Sequence, residues 1–131
     1  MPTDPKVLAV LLAQGHAFDP KTGTHSLLGI VNRLRVDGFP AVVPQLFCYV
    51  ALTGLNGEYA LRLSIHRARD DEEVAYADGV IPRLATPLEF VEVLLGLEEV
   101  PLEVGGRYIF KFAMNGAVLH EFVIEAEVDE A

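Results

Sequence analysis

The sequence predicts an all-β protein, an antiparallel β-sandwich of immunoglobulin-like or Greek-key type with about seven to nine strands. Two observations predict this class. Short runs of alternating apolar and polar residues recur along the chain, and turns rich in glycine and proline separate them. The length of 131 residues, of which 51% are apolar, suits one sandwich domain over residues 1–131.

The first predicted strand, about Lys6–His16, is apolar on both alternating faces, which is typical of a strand covered on both sides. A turn follows at Asp19-Pro20-Lys21-Thr22-Gly23, where proline fixes φ and glycine accepts a positive φ. The second strand is predicted over about His25–Val36. Its alternation predicts four inward side chains: Leu28, Ile30, Leu34 and Val36.

Three further strands follow in the middle of the chain. The third is predicted over Gln45–Thr53, opened by Pro44, and the fourth over Glu58–Arg67. The fourth has the clearest period of two, with Tyr59, Leu61, Leu63 and Ile65 on one face. A weak strand near Val74–Asp78 is expected at a sheet edge, after an acidic tip over residues 69–73.

Residues 86–98 are open between a strand and one short helix. Thr86-Pro87-Leu88-Glu89 has the pattern of a helix start, with a capping threonine, proline at the first helical position and glutamate three residues after the cap. The branched and aromatic residues Phe90, Val91 and Val93 favour a strand instead. Val100-Pro101 is expected to end the segment in either case.

The last two strands, Arg107–Met114 and Ala117–Val128, are predicted to form a hairpin about Asn115-Gly116. A two-residue loop in regular pairing would set Glu121 opposite Phe110. A three-residue turn with a bulge avoids this, placing Ala113 opposite Ala117 and Tyr108 opposite Phe122. We therefore predict the three-residue turn, because register follows the buried face.

The order of these signals resembles a bacterial family of small β-sandwich proteins of unknown function. The resemblance spans nearly the whole chain and implies that Phe90–Leu95 is extended, which favours the strand there. It implies a fold and no activity, so no functional residue is carried over. The residues that carry it are Leu8–Ala13, Leu28-Gly29-Ile30, Phe39-Pro40-Ala41, Pro101-Leu102, Gly106-Arg107-Tyr108 with Phe110, and Asn115-Gly116.

The pattern Leu102-x-x-Gly-x-x-Tyr108 also predicts a tyrosine corner, in which the tyrosine hydroxyl bonds to the backbone a few residues upstream.

Composition argues against several classes of function. A net charge of −9 argues against binding of nucleic acid and of anionic membranes, because both draw affinity from lysine and arginine. The apolar run Val7–Ala13 is too short to cross a bilayer and lacks a basic leader. The single cysteine, Cys48, lies in an apolar run and is expected to be buried and unreactive. We expect a cytoplasmic protein.

Metal chemistry has two weak candidates. His16 and His25 flank the first turn, so strand pairing brings them within reach of each other, but zinc takes three or four ligands. Solvated hairpin ends are the simpler interpretation. The acidic tip lacks the spaced pattern of a calcium loop and is expected to be a solvated charge run.

Surplus apolar surface is the most suggestive feature. The first and third strands carry more apolar side chains than one core requires, so something is expected to cover the excess. The cover is either the chain's own loops, Asp37–Val43 and Asp78–Thr86, a second copy, or a foreign partner or apolar ligand. The residues expected in this interface are Leu8, Val10, Leu12, Phe47 and Tyr49.

Three hypotheses for function follow. The first is a non-enzymatic interaction or scaffold domain that self-associates, or binds a protein partner, through this apolar face. The alternatives are a sandwich that binds small molecules or carbohydrates, and a metal-dependent enzyme using His16 and His25. No catalytic residue and no cofactor is predicted.

Overall fold

The computed structural model describes residues 5–83 and 90–129, which form nine strands and no helix. The strands are β1 (Lys6–Asp19), β2 (Thr24–Ile30), β3 (Arg33–Val36), β4 (Ala41–Thr53), β5 (Tyr59–Arg67), β6 (Glu72–Ile81), β7 (Val91–Leu102), β8 (Gly106–Met114) and β9 (Ala117–Val128).

The strands form two sheets packed face to face. The four-stranded sheet has the order β2-β1-β4-β7, and the five-stranded sheet has the order β3-β9-β8-β5-β6. Neighbouring strands are antiparallel except for β3 and β9, which pair in parallel. With β1, β4 and β7 in one sheet and β5, β8 and β9 in the other, the arrangement is that of an immunoglobulin-type sandwich. The predicted fold class is confirmed.

The core lies between the sheets and is built by alternation. On β5 the predicted inward residues Leu61, Leu63 and Ile65 are buried. Removing such side chains from water stabilises the fold by about 1.5–3 kcal/mol each. The largest fully buried side chains come from β4, β5, β7 and β8 and from the loop after β4: Tyr108, Phe110, Phe112, Leu46, Leu52, Leu55, Leu63, Ile65 and Leu102.

The second predicted strand is two strands in different sheets. β2 ends at Ile30, and β3 begins at Arg33 in the opposite sheet. Leu34 is buried as predicted, but the inward placement of Leu28 and Ile30 is wrong, because they are 57% and 61% exposed. When the chain passes to the other sheet, the set of alternate residues that faces the core changes. A prediction that assumes one alternation of apolar and polar residues through the whole segment cannot detect this change.

The segment that the sequence left open is a strand. β7 runs from Val91 to Leu102 and pairs with β4 along its length, so the extended interpretation of this part is confirmed. The predicted helix start, Thr86–Glu89, lies outside the described residues. Pro101 does not end the strand, because β7 is the last strand of its sheet and an edge strand tolerates a missing N–H group. β4 begins at Ala41 and contains Pro44, in the part of the strand before Phe47 that pairs with β7 and not with β1.

The β8–β9 hairpin has a two-residue loop, so the predicted three-residue turn is wrong. Met114 pairs with Ala117, and Asn115 and Gly116 have φ of 51° and 82°, as a type I′ turn requires. The extra residue lies inside β9 instead, where Leu119 is bulged between the pairs Phe112–His120 and Ala113–Val118. This bulge sets Phe122 opposite Phe110, and Tyr108 faces Ile124 rather than Phe122. One extra residue in the hairpin is needed to keep the aromatic side chains of β8 and β9 on the buried face. This need does not determine whether the extra residue lies in the turn or within a strand.

Candidate functional site

Hairpin β1–β2 brings the two predicted histidines together. Phe18 pairs with His25, and His16 pairs with Leu27, so both imidazoles lie on one face of the hairpin. The distance between His16 Nε2 and His25 Nδ1 is 2.9 Å, and the ring centroids are 5.2 Å apart. The centroid distance exceeds the nitrogen distance by about two ring radii, so both nitrogens lie near the line joining the rings. This is the geometry of a linear N–H···N hydrogen bond.

The two imidazoles are hydrogen-bonded to each other rather than converging on a common centre. An N–H of one ring donates to a ring nitrogen of the other, and the tautomers decide which ring donates. Metal ligands point toward a common centre, whereas these two nitrogens point at each other. Within residues 5–83 and 90–129, no group of three or more His, Cys, Asp or Glu side chains is placed to hold a metal ion.

An aromatic cluster surrounds the pair. It consists of His16, Phe18, His25, Phe47 and Tyr49. His16 lies 5.9 Å from Phe47, and His25 lies 4.8 Å from Phe18 and 6.4 Å from Tyr49, between ring centroids. Hairpin β1–β2 therefore packs one face against the outer side of β4. This packing could not be predicted from the sequence, because the alternation of apolar and polar residues does not record how a hairpin folds back over its own sheet.

Tyr49 connects the aromatic cluster to β7. Its hydroxyl donates a hydrogen bond to the Glu92 carboxylate on β7. Desolvation raises the pKa of Tyr49 to about 12, and the hydrogen bond and negative charge of Glu92 act in the same direction. The tyrosine therefore stays neutral and acts as a hydrogen-bond donor at physiological pH.

The predicted interface residues divide between the two faces of the four-stranded sheet. Val10 and Leu12 pair with Val50 and Cys48 and face the core, so their predicted outward placement is wrong. A bulge at Leu8 shifts the register of β1, which reverses the alternation expected from the sequence. Leu8 itself is exposed. Phe47 and Tyr49 lie on the outer face, half-buried in the aromatic cluster.

The opposite face of the hairpin carries exposed aliphatic side chains. Leu28 lies over Gly15, and Ile30 pairs with Ala13, two residues from the exposed Leu11. We call Leu28 and Ile30 the hairpin surface. The sequence predicts that β1 is covered on both sides. In the structure, its hairpin partner β2 places Leu28 and Ile30 outward, so β1 lies beside an exposed apolar surface.

Cys48 is a core residue, as predicted. It is fully buried, and desolvation raises the pKa of its thiol to about 12. The thiolate needed for nucleophilic attack therefore does not form at physiological pH.

The acidic tip is organised by two arginines rather than left as a free charge run. Asp70 and Glu72 form ion pairs with Arg67, which also reaches Glu103. Glu73 pairs with Arg62 on the outer face of the five-stranded sheet. The carboxylates of Asp70, Glu72 and Glu73 therefore form ion pairs within the folded chain.

The fold defines the chain as an immunoglobulin-type β-sandwich domain. A family model described as a family of unknown function, DUF6941, matches residues 8–127, and the chain belongs to that family. Among curated proteins, none matches this sequence. None of the described segments is a helix long and apolar enough to cross a membrane.

Among solved structures, this chain is similar to part of a glycosyl hydrolase family 2 member from Bacteroides cellulosilyticus DSM 14838. The sequence identity is 17% and the TM-score is 0.44. The alignment covers 77% of this chain but only 16% of that one.

Proposed function

We propose that this chain is a non-enzymatic interaction domain that associates with a second copy of itself through the hairpin surface. The observation that carries the proposal is the exposure of Leu28 and Ile30 side by side on the terminal strand of a sheet. Contiguous exposed aliphatic side chains are characteristic of interaction sites.

The packing of hairpin β1–β2 supports this choice of surface. The face with His16 and His25 rests on Phe47 and Tyr49, so the hairpin is held against its own sheet. The other face of the hairpin, which carries Leu28 and Ile30, therefore lies on an element that packs against the rest of the sheet. A surface on a supported element loses less conformational entropy on binding than one on a free loop.

Sedimentation velocity over micromolar to submillimolar concentrations tests the proposal. We expect a reversible dimer for the natural chain. The double variant Leu28→Ser, Ile30→Ser should raise the dimer Kd at least a hundredfold. Each buried aliphatic side chain is worth about 1.5–3 kcal/mol, and every 1.4 kcal/mol is about tenfold in Kd.

A matched control exists on the other sheet. Val118 and Val123 are about as exposed as Leu28, but they lie on β9. The variant Val118→Ser, Val123→Ser should dimerise like the natural chain. A natural chain that stays monomeric across the whole range would refute self-association.

A further inference from the structure

We infer that the two copies join edge to edge, with β2 of one chain pairing antiparallel with β2 of the other about a twofold axis. The two β1–β2 hairpins would then become one four-stranded ribbon, because β1 pairs with β2 through Ala13–Asp19 and with β4 through Lys6–Ala13. This inference rests on the proposed self-association and specifies its geometry.

The four terminal strands of the two sheets differ in the charge that they carry. An edge strand presents unpaired N–H and C=O groups, and proteins discourage pairing there with charged residues or proline. β3 carries Arg33 and Arg35, and β6 carries Glu72, Glu73 and Asp78. β7 carries Glu92, Glu98, Glu99 and Pro101. β2, with the sequence Thr-His-Ser-Leu-Leu-Gly-Ile, carries no Asp, Glu, Lys, Arg or proline.

These charges favour a second copy of the chain as the partner of β2. In a twofold contact each residue meets the same surface on the other copy, so a charged edge meets its own charge. β3, β6 and β7 would each repel a second copy of themselves, whereas β2 would not. The whole chain carries −9, yet residues 22–32 contain no Asp, Glu, Lys or Arg. Two copies therefore approach with the least repulsion through this segment.

The geometry of β2 places the twofold axis. Gly29 has a φ of 66°, so the regular part of the strand is Thr24–Leu28, with Ser26 at its centre. Antiparallel pairing of this stretch places the twofold axis near Ser26. It also places the exposed Leu28 side chains of both copies on one face of the joined strands, each opposite Thr24 of the other copy.

Charge substitutions at Ser26 test the pairing. Ser26 is exposed, so Ser26→Lys and Ser26→Glu are expected to fold, which thermal melting and circular dichroism check. Each variant alone sets two like charges across the axis and should weaken the dimer tenfold or more. An equimolar mixture of the two should restore association, because opposite charges then face each other. Hydrogen exchange should show protection of the amides of Thr24–Leu28 that increases with concentration.

The outcomes separate the two proposals. A natural chain that remains monomeric overturns the proposed function and this inference together. A natural chain that dimerises, with both Ser26 variants dimerising equally well, overturns edge pairing and leaves self-association standing. Variants that are both weakened, with no recovery in the mixture, also overturn edge pairing, because the contact then does not join β2 to β2.

Discussion

Tyr108 connects the two sheets at the scale of a single residue. Its ring is buried in the core, and its hydroxyl donates a 2.6 Å hydrogen bond to the carbonyl of Val104, in the connection between β7 and β8. The tyrosine corner predicted from Leu102-x-x-Gly-x-x-Tyr108 is therefore confirmed. Burial raises the pKa of this hydroxyl, which keeps it protonated and able to donate.

We expect Tyr108→Phe to lower the free energy of unfolding by about 1–2 kcal/mol, because the ring stays while a buried hydrogen bond is lost. Urea denaturation followed by circular dichroism measures the change. Tyr76→Phe is the matched control, since Tyr76 is exposed and its ring remains beneath Arg62. Equal losses in the two variants would show that the corner hydrogen bond contributes nothing.

At the scale of elements, Arg67 ties the β5–β6 turn to the β7–β8 connection. Its side chain is 9% exposed, and its guanidinium forms ion pairs with Asp70 and Glu72 on one side and Glu103 on the other. The hydrogen bond from Arg67 lowers the pKa of Asp70 below its ordinary value. The unfolded chain therefore binds a proton at Asp70 more readily than the folded chain does.

This difference makes Asp70 a source of acid sensitivity. A lowered pKa in the folded state gives stability that is present above the ordinary aspartate pKa of about 3.9 and lost as pH falls through the folded value. We expect Asp70→Asn to be less stable than the natural chain at neutral pH, with the difference shrinking below about pH 4. Thermal melting across pH measures this. Asp37→Asn, at an exposed site outside the described ion pairs, should keep the natural pH dependence.

The elements also show what alternation can predict. β5 follows the sequence closely because it lies inside a sheet with one face on the core, so polarity and burial coincide. The predicted inward and outward placement was wrong where an extra residue or a change of sheet shifts the alternation of buried and exposed positions. This occurs at the bulges at Leu8 and Leu119 and at the passage from β2 to β3. Such shifts depend on contacts between strands distant in sequence.

The candidate site was predictable in part for the same reason. A short turn between His16 and His25 suffices to predict that they meet, because hairpin pairing is local. Their contact with Phe47 and Tyr49 joins segments more than twenty residues apart, through a hairpin that packs against the outer side of its own sheet. Local pattern carries no information about that packing.

For the whole molecule, charge decides how two copies can meet. Nineteen acidic and ten basic side chains leave a net charge of −9, so two copies repel each other at low ionic strength. The proposed interface contains no charged residue within β2, and ion pairs across it are not needed. Association should therefore depend on apolar burial and backbone pairing against a general electrostatic repulsion.

Salt should consequently strengthen the natural dimer. Raising ionic strength from about 0.01 M to about 0.15 M shortens the screening length from about 30 Å to about 8 Å, which weakens the repulsion between the two acidic bodies. Sedimentation velocity at several sodium chloride concentrations should show the Kd falling. The mixed Ser26→Lys and Ser26→Glu dimer is the internal comparison, because salt also screens its engineered attraction, so its Kd should fall less. A natural dimer that dissociates as salt rises would instead be held by ion pairs, and a contact between the basic edge β3 of one copy and an acidic edge, β6 or β7, of the other would then replace β2.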